Sequence, residues 1–353
     1  MSTTTTSSRA RTDAERWIEF AASVLRFHGV PDADANLVAG SLVQADLWGH
    51  QSHGLLRLPW YVARLRTGAM KAKSEPSVVA DTGGMLLLDG DDGIGQVLTD
   101  RIAREAADRA RTNGIGAVGV RNSNHFGMAM YYTRRIAAEG FAAMLYTNAS
   151  PAMAPWGGRE KRIGTNPWSM AAPYGDSQIA LDIANTAVAR GKIYLADQRR
   201  EDIPDGWALD AEGRRTTNAA EAINGVILPM AGHKGYAISL MMDIFTGALL
   251  GGAVGTDIHG PYEADKKSGT SHLFIAVDPR ALGTAEEFDA RIAELVGQMH
   301  STPLAHGHDQ VFLPGEIEDH NAATTIRLGG IEYPEQTWKD MEELGSEASV
   351  DLP

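Results

Sequence analysis

Apolar residues recur at helical spacing near the start of the chain. Trp17, Phe20, Ala21, Val24, Leu25 and His28 lie three or four residues apart, behind a Thr12-x-x-Glu15 capping box and ahead of Gly29, which predicts an amphipathic helix with a glycine stop. A second helix is predicted over 32–48, burying Leu37, Val38, Leu42 and Ala45 behind Pro31. A polar knuckle, Gly49-His50-Gln51-Ser52-His53-Gly54, separates it from a third periodic stretch, Leu55, Leu58, Tyr61, Val62 and Leu65. From about residue 76 the pattern changes to short β-like runs, Val78-Val79 and 85–88, divided by glycine turns. Thr99 or Asp100 is expected to cap a helix that ends at Asn113-Gly114. A strand at 115–120, a helix at about 128–139 and strands at 141–146 and 179–182 follow. Helix and strand alternate, so the class is α/β. Residues 194–218 are polar and turn-rich, as expected of an excursion or flap. A helix at 234–250, a strand at 271–278 and a capping box at Thr284-x-x-Glu287 before a helix over 288–299 complete the pattern. No internal repeat is visible.

Composition narrows the picture. A length of 353 residues suggests about two domains or one elaborate one. Hydrophobic residues at 43% and charged residues at 22% are ordinary for a folded globular chain. With 32 Lys+Arg against 45 Asp+Glu, the net charge of −13 has the wrong sign for a general nucleic-acid or anionic-membrane binder. No apolar run approaches the roughly 20 residues of a membrane span. There is no cysteine, which removes disulfides, thiolate zinc sites and cysteine nucleophiles and fits a reducing, cytoplasmic setting. Residues 1–12 read as a disordered tail. The 11 histidines include His50-x-x-His53 and His306-x-His308, but neither pair has a third ligand nearby, so no metal is expected. The 38 glycines, about 11% against a usual value of roughly 7%, require many tight turns or close backbone approaches.

Gly114-Ile115-Gly116-Ala117-Val118-Gly119 matches G-x-G-x-x-G literally. A dinucleotide fingerprint must follow a strand and open a helix, so that the pyrophosphate meets the helix N-terminus. Here a helix ends at Gly114 and a strand follows, which makes the match a helix C-cap plus small residues in a buried strand.

Several polar clusters sit at element ends. Ser52, His53 and Arg57 place a hydroxyl, an imidazole and a guanidinium within six residues; Arg57 can clamp a carboxylate and His53 can move a proton near neutral pH. Tyr61 follows Arg57 by four residues and shares its helical face. A serine cap with a packed histidine and a solvent-facing arginine would fit the same letters. Asn122-Ser123-Asn124-His125-Phe126-Gly127, between a strand and a helix, is placed either to meet a ligand or simply to turn the chain. Gly164-Thr165-Asn166-Pro167, Asp182-Ile183-Ala184, Gly232-His233-Lys234-Gly235 and Pro314-Gly315-Glu316 are further polar or glycine turns, and Lys234 between glycines suits an anion.

Taken in order, these six motifs resemble the malate/L-lactate dehydrogenase family of the non-Rossmann type, over about 13–330. The family includes sulfolactate and ureidoglycolate dehydrogenases, diketogulonate reductase and piperidine-2-carboxylate reductases. The resemblance implies an α/β mixed-sheet fold of the L-sulfolactate dehydrogenase type, with a helical domain built from both chain ends (13–75 plus 284–353) beside an NAD(P)-binding domain (76–283). It implies a homodimer that uses NAD or NADP to interconvert a 2-hydroxy acid and a 2-oxo acid. Carried over by position, Ser52 and His53 match the proton-donating pair, with His125 the rival donor. Arg57 and Thr165 match the substrate side, where the helical spacing from Arg57 also puts Tyr61. His125, Phe126, Gly127, Asp182, Ile183, Ala184, Lys234, Gly235, Gly315 and Glu316 match coenzyme contacts. A reductase of cyclic imines bearing a 2-carboxylate is the alternative, but some imine-reducing members carry a carboxylate where this chain has Lys192. A non-catalytic small-acid binder would have no need of His53, His125 and Lys234.

Overall fold

A seven-stranded mixed sheet organises the chain in the computed structural model, which describes residues 11–353. Its strands are β1 (Ser77–Asp81), β2 (Met85–Asp89), β3 (Ile115–Ser123), β4 (Ala142–Thr147), β5 (Trp168–Tyr174), β6 (Ser177–Ile183) and, last in sequence, β10 (Thr270–Val277). The order across the sheet is β1-β2-β3-β10-β4-β5-β6. Only β2 and β3 run parallel. Elsewhere the pairing is antiparallel and the register matches Ser123 to Thr270, His272 to Thr147, Tyr146 to Trp168 and Trp168 to Ile183. One edge of the sheet therefore collects the ends of β3, β4 and β6 and the starts of β10 and β5, and with them three of the predicted polar turns.

Helices α4 (Gly95–Asn113) and α5 (Met130–Ala138) pack on one face of this sheet. Helix α8 (His233–Asp243), extended by a π-turn at Ile244–Ala248, covers the other. The glycine-rich match explains the close packing: a Cβ on Gly116 would lie 2.1 Å from the Ala106 carbonyl of α4, and one on Gly119 would lie 2.7 Å from Leu250 on the opposite face. Gly114, at φ 78°, ends α4 as expected.

A helical layer flanks the sheet. Helices α1 (Ala14–Phe27), α2 (Asp32–Leu47) and α3 (Leu58–Thr67) pack with α10 (Glu316–Arg327) and α11 (Glu335–Ala348), while α9 (Ala285–His300) lies against β5. Trp17 is the hub of this core, edge-on to Phe20, Tyr333 and Trp338. Among the described residues no helix is long and apolar enough to cross a membrane.

Three local expectations need correction. Asp13, not Thr12, caps α1, because Thr12 is drawn into a backbone bridge with Ile331. Helix α4 starts at Gly95 rather than beyond Thr99 or Asp100, since Gly95 lets the helix press on the 124–125 backbone, where a Cβ would come within 2.3 Å. Asp100 lies inside the helix and pairs with Arg135 at 2.6 Å. The expected flap at 194–218 is a folded lobe. Helices α6 (Arg190–Arg199) and α7 (Ala219–Asn224) and short strands β7 (Ala208–Leu209), β8 (Arg215–Thr216) and β9 (Val226–Ile227) enclose Ile193, Ile203, Ala208, Ala222 and Ile227. Residues 1–10 of the expected tail lie outside the described residues.

Asp46, near the end of α2, ties the helical layer to the knuckle that follows it. Its Oδ2 accepts the Leu55 N–H at 2.9 Å and the Tyr333 hydroxyl at 2.6 Å. Its carboxylate fills the space of a side chain at Gly54, where a Cβ would stand 1.8 Å from Oδ1. Burial pushes the carboxyl up to about 7 from an ordinary 3.8, against the opposing pull of the Tyr333 and Leu55 hydrogen bonds. Folding thus favours the protonated acid. That stabilisation is whole below pH 3.8 and is lost as the pH rises through about 7. Urea titrations should show the unfolding free energy of the wild type, relative to Asp46→Asn, declining across this window; a constant difference would contradict the assignment.

Candidate functional site

Two short 3-10 turns, Gln51–His53 and Leu55–Arg57, lead into α3 and present Ser52, His53 and Arg57 on one side. Ser52 Oγ lies 3.0 Å from His53 Nδ1, and the Arg57 Nε–H donates to the Ser52 carbonyl at 2.6 Å. The Arg57 guanidinium stacks over Trp60 at 4.1 Å. Among the described residues no carboxylate pairs with it. Arg57 is thus a half-buried cation with no anion of its own.

The loop after β3 brings His125 alongside. The His53 and His125 rings stand 5.7 Å apart at an interplanar angle of 18°. Tyr61 Oη lies 2.6 Å from His125 Nδ1, so the buried tyrosine joins α3 to the sheet edge. Phe126 is buried edge-on to His272 at 4.7 Å, and Gly127, at φ 79°, turns the chain toward α5. Burial, assisted by the Arg57 charge, holds His53 down to about 3. Burial and the neighbouring His53, Arg57, His272 and Arg64 hold His125 well below the usual histidine range. Both rings are neutral near pH 7.

The other predicted turns converge on Asn185. Its backbone and side-chain N–H groups donate to the Thr165 carbonyl, both at 3.1 Å, and its amide also donates to Asn166 O at 2.7 Å. Its Oδ1 accepts from Trp168 Nε1 and its carbonyl from Met230 N. Gly235 opens α8 against the same segment, where a Cβ would lie 2.4 Å from Met230 O. Lys234 is exposed beside it, and no anion among the described residues pairs with it. Thr165, Ile183, Ala184, Lys234 and Gly235 are therefore gathered in one region. Asp182 faces elsewhere: its carboxylate accepts the Met130 N–H at 2.9 Å and serves the N-terminus of α5, and burial raises it to about 6. Gly315, at φ 98°, starts α10 with its turn on β6, where Ala180 N donates to Pro314 O at 3.0 Å. Glu316 accepts from Leu313 N and stands 3.4 Å from the His300 ring.

Four residues that sequence reasoning missed hold the arrangement together. Asn185 directly follows the predicted Asp182–Ala184 turn and could have been reached by extending it one residue. His272 interrupts an apolar strand and links Thr147 Oγ1 (2.8 Å) to Ser123 Oγ (2.8 Å) behind the His125 loop. Arg64, fully buried, donates to Asn124 Oδ1 at 2.9 Å and Glu263 O at 2.6 Å. Gln96, at the start of α4, donates to Tyr61 Oη at 3.0 Å, and no local pattern marks it.

Comparison with known proteins gives the same picture. The profile described as malate/L-lactate dehydrogenase matches residues 12–342. The L-sulfolactate dehydrogenase of Methanocaldococcus jannaschii is 36% identical over 329 residues, 93% of this chain and 94% of the relative. Its solved structure superposes with a TM-score of 0.92 at 34% identity, covering 97% of this chain and 98% of that one. The (2R)-3-sulfolactate dehydrogenase (NADP(+)) of Chromohalobacter salexigens is 38% identical over 73% of this chain and 78% of its own. The ureidoglycolate dehydrogenase (NAD(+)) of Escherichia coli is 32% identical over 82% and 83%. With a mixed sheet in place of a Rossmann fold, the six motifs in order and a match along nearly its whole length, the chain belongs to the malate/L-lactate dehydrogenase family.

Proposed function

We propose that this cleft interconverts a small 2-hydroxy acid and its 2-oxo acid with NAD or NADP. The observation that carries the reading is Arg57, a half-buried guanidinium without a carboxylate partner, set beside two neutral imidazoles. A substrate carboxylate supplies the missing charge and can bind the planar fork in bidentate fashion. Bound there, the substrate's C2 oxygen falls to the paired rings. Ser52 can accept the His53 Nδ1–H hydrogen bond, which leaves the His53 Nε2 lone pair as the base for the hydroxyl proton in oxidation; in reduction Nε2 first takes up a proton from water, which a bound carboxylate beside it favours, and then passes that proton to the oxygen.

The donor set also fits a dinucleotide. Lys234 at the start of α8 has no side-chain cap or anion in competition, and Gly235 allows backbone to approach closely. Lys234, Gly235, Ile183, Ala184 and the Gly315-Glu316 turn would hold the coenzyme, with His125, Phe126 and Gly127 toward its reacting end and Thr165 on the substrate side. When bound, the nicotinamide supplies or accepts the hydride. The chain's own work is to orient the acid through Arg57, to move one proton and to keep the Phe126 side of the pocket dry.

A homodimer completes the reading. Leu240, Met241, Ile244, Phe245 and Leu249 form an uncharged stripe on α8 and its π-turn, each between 39% and 57% exposed.

Arg57→Ala should raise KM for the oxo acid by about a hundredfold or more while moving kcat less, in line with the roughly 3 kcal/mol of a charge-assisted pair; an unchanged KM would remove Arg57 from the substrate. Because His53 is already deprotonated well above about 3, kcat/KM for hydroxy-acid oxidation should stay flat as the pH is lowered from 8 toward 5. A fall with a midpoint near 6.5 would show an ordinary histidine instead. Light scattering should return twice the chain mass for the wild type and one chain mass for Phe245→Asp; a monomeric wild type would refute the dimer.

A further inference from the structure

The spacing of Tyr61 from Arg57 puts it on the substrate side, yet its hydroxyl is committed inside the protein. It is 1% exposed and lies 2.6 Å from His125 Nδ1 and 3.0 Å from Gln96 Nε2. A third group settles the direction of this chain of hydrogen bonds. The Gly127 backbone N–H also points at His125 Nδ1, at 3.3 Å. A backbone N–H can only donate, so Nδ1 carries a lone pair and no proton. Tyr61 O–H must then donate to Nδ1, and the Tyr61 oxygen must accept from the Gln96 amide. Gln96 is fully buried and, among the described residues, finds no donor for its own Oε1 in this orientation, a cost that calls for a function.

We infer that Tyr61 and Gln96 are positioning residues that lock His125 in its neutral Nε2–H tautomer, so that His125 meets the substrate's C2 oxygen as a fixed hydrogen-bond donor while His53 moves the proton. This rests on the proposed function, in which His125 faces the reacting oxygen. Two accepted bonds at Nδ1 leave Nε2 as the only site for the ring's proton, aimed away from the Tyr61 side. The groups that face the ring are His53, Arg57, His272 and Arg64, all neutral or cationic, and they oppose its protonation. A neutral imidazole gives up its last proton with great difficulty, but it polarises a carbonyl and steadies the negative charge that grows on the oxygen as hydride arrives. No proton leaves His125 in this scheme. In reduction His53 Nε2 takes up a proton from water and passes it to the oxygen, and in oxidation Nε2 receives the hydroxyl proton and releases it to water.

Long-range 1H–15N spectra of protein labelled in histidine nitrogen, with His125 assigned by its loss in His125→Asn, read the tautomer directly in the wild type. The expected result is one neutral Nε2–H form from about pH 5 to about pH 8. Tyr61→Phe should shift the Nδ1 resonance toward a weakly bonded acceptor and lower kcat at least about tenfold, part of the 10²–10³-fold that a direct donor is worth, with KM for the oxo acid nearly unchanged. Gln96→Glu, of the same shape, turns the Tyr61 proton toward a carboxylate and should produce the same shift and loss. An Nδ1–H or doubly protonated His125 would overturn the inference, and so would a Tyr61→Phe variant that raises KM tenfold at unchanged kcat. The spectra do not depend on turnover: if they show the Nε2–H form while His125→Asn reduces the oxo acid at the wild-type rate, the inference fails, because His125 then takes no part in the reaction; if the wild type shows the Nε2–H form but reduces no 2-oxo acid with either coenzyme, the functional reading has failed and the tautomer assignment has not.

Discussion

The hydrogen bond between Tyr61 and His125 joins two parts of the chain that are built separately. Tyr61 belongs to α3, whose place is set by the helical layer through Asp46, Leu55 and Tyr333. His125 belongs to the loop after β3, whose place is set by the sheet through Ser123, His272 and Thr147. A contact of 2.6 Å tolerates little slack, so both frames must be rigid at their meeting point. Several buried polar groups meet there, among them Arg64, Gln96, Ser123, Asn124 and His272. Arg64 and Asn124 fasten the loop from below, and Gly95 lets α4 press against its backbone. Each device costs desolvation or conformational freedom, and each is compensated only if the site needs fixed geometry.

Electrostatics follows from the same enclosure. Around the two rings the nearby fixed charge is cationic, from Arg57 and the deeply buried Arg64, and burial keeps both histidines neutral although they sit side by side. In the proposed function a carboxylate substrate meets Arg57, with which no carboxylate of the described residues pairs, on a protein that carries −13 overall. That contrast selects for small acids, and it leaves the rest of the acid, beyond the carboxylate and C2 oxygen, to groups other than Arg57 and the rings.

Much of this was legible in the sequence. The helical periodicity around Trp17, the glycine stop at Gly114 and the Thr284 capping box all appear where the letters place them. The order of helix and strand around Gly114–Gly119 was enough to reject a Rossmann fingerprint. The clusters at 52–57, 122–127, 164–167 and 232–235 are polar turns at element ends, which local pattern detects well. What stayed hidden depends on tertiary placement. β5 contains Pro173 and no clean alternation, so it reads weakly. Thr12 has capping chemistry but is claimed by Ile331, more than 300 residues away. Gln96, Arg64 and Asn185 look like ordinary polar residues until the fold brings Tyr61, Asn124 and Thr165 to them. The 194–218 segment reads as a loop because the lobe's core is a few apolar side chains scattered over short elements and the turns between them, from Ile193 to Ile227.

The central claim is that one cleft at this sheet edge binds a carboxylate and reduces the carbonyl next to it. Its most direct test is the absorbance of reduced nicotinamide when the purified protein meets NADH or NADPH with a panel of 2-oxo acids and with matched ketones that lack the carboxylate. The account predicts coenzyme oxidation with at least one 2-oxo acid and none with its ketone partner. Turnover of the ketones at equal rates, or no turnover of any 2-oxo acid with either coenzyme, would contradict it.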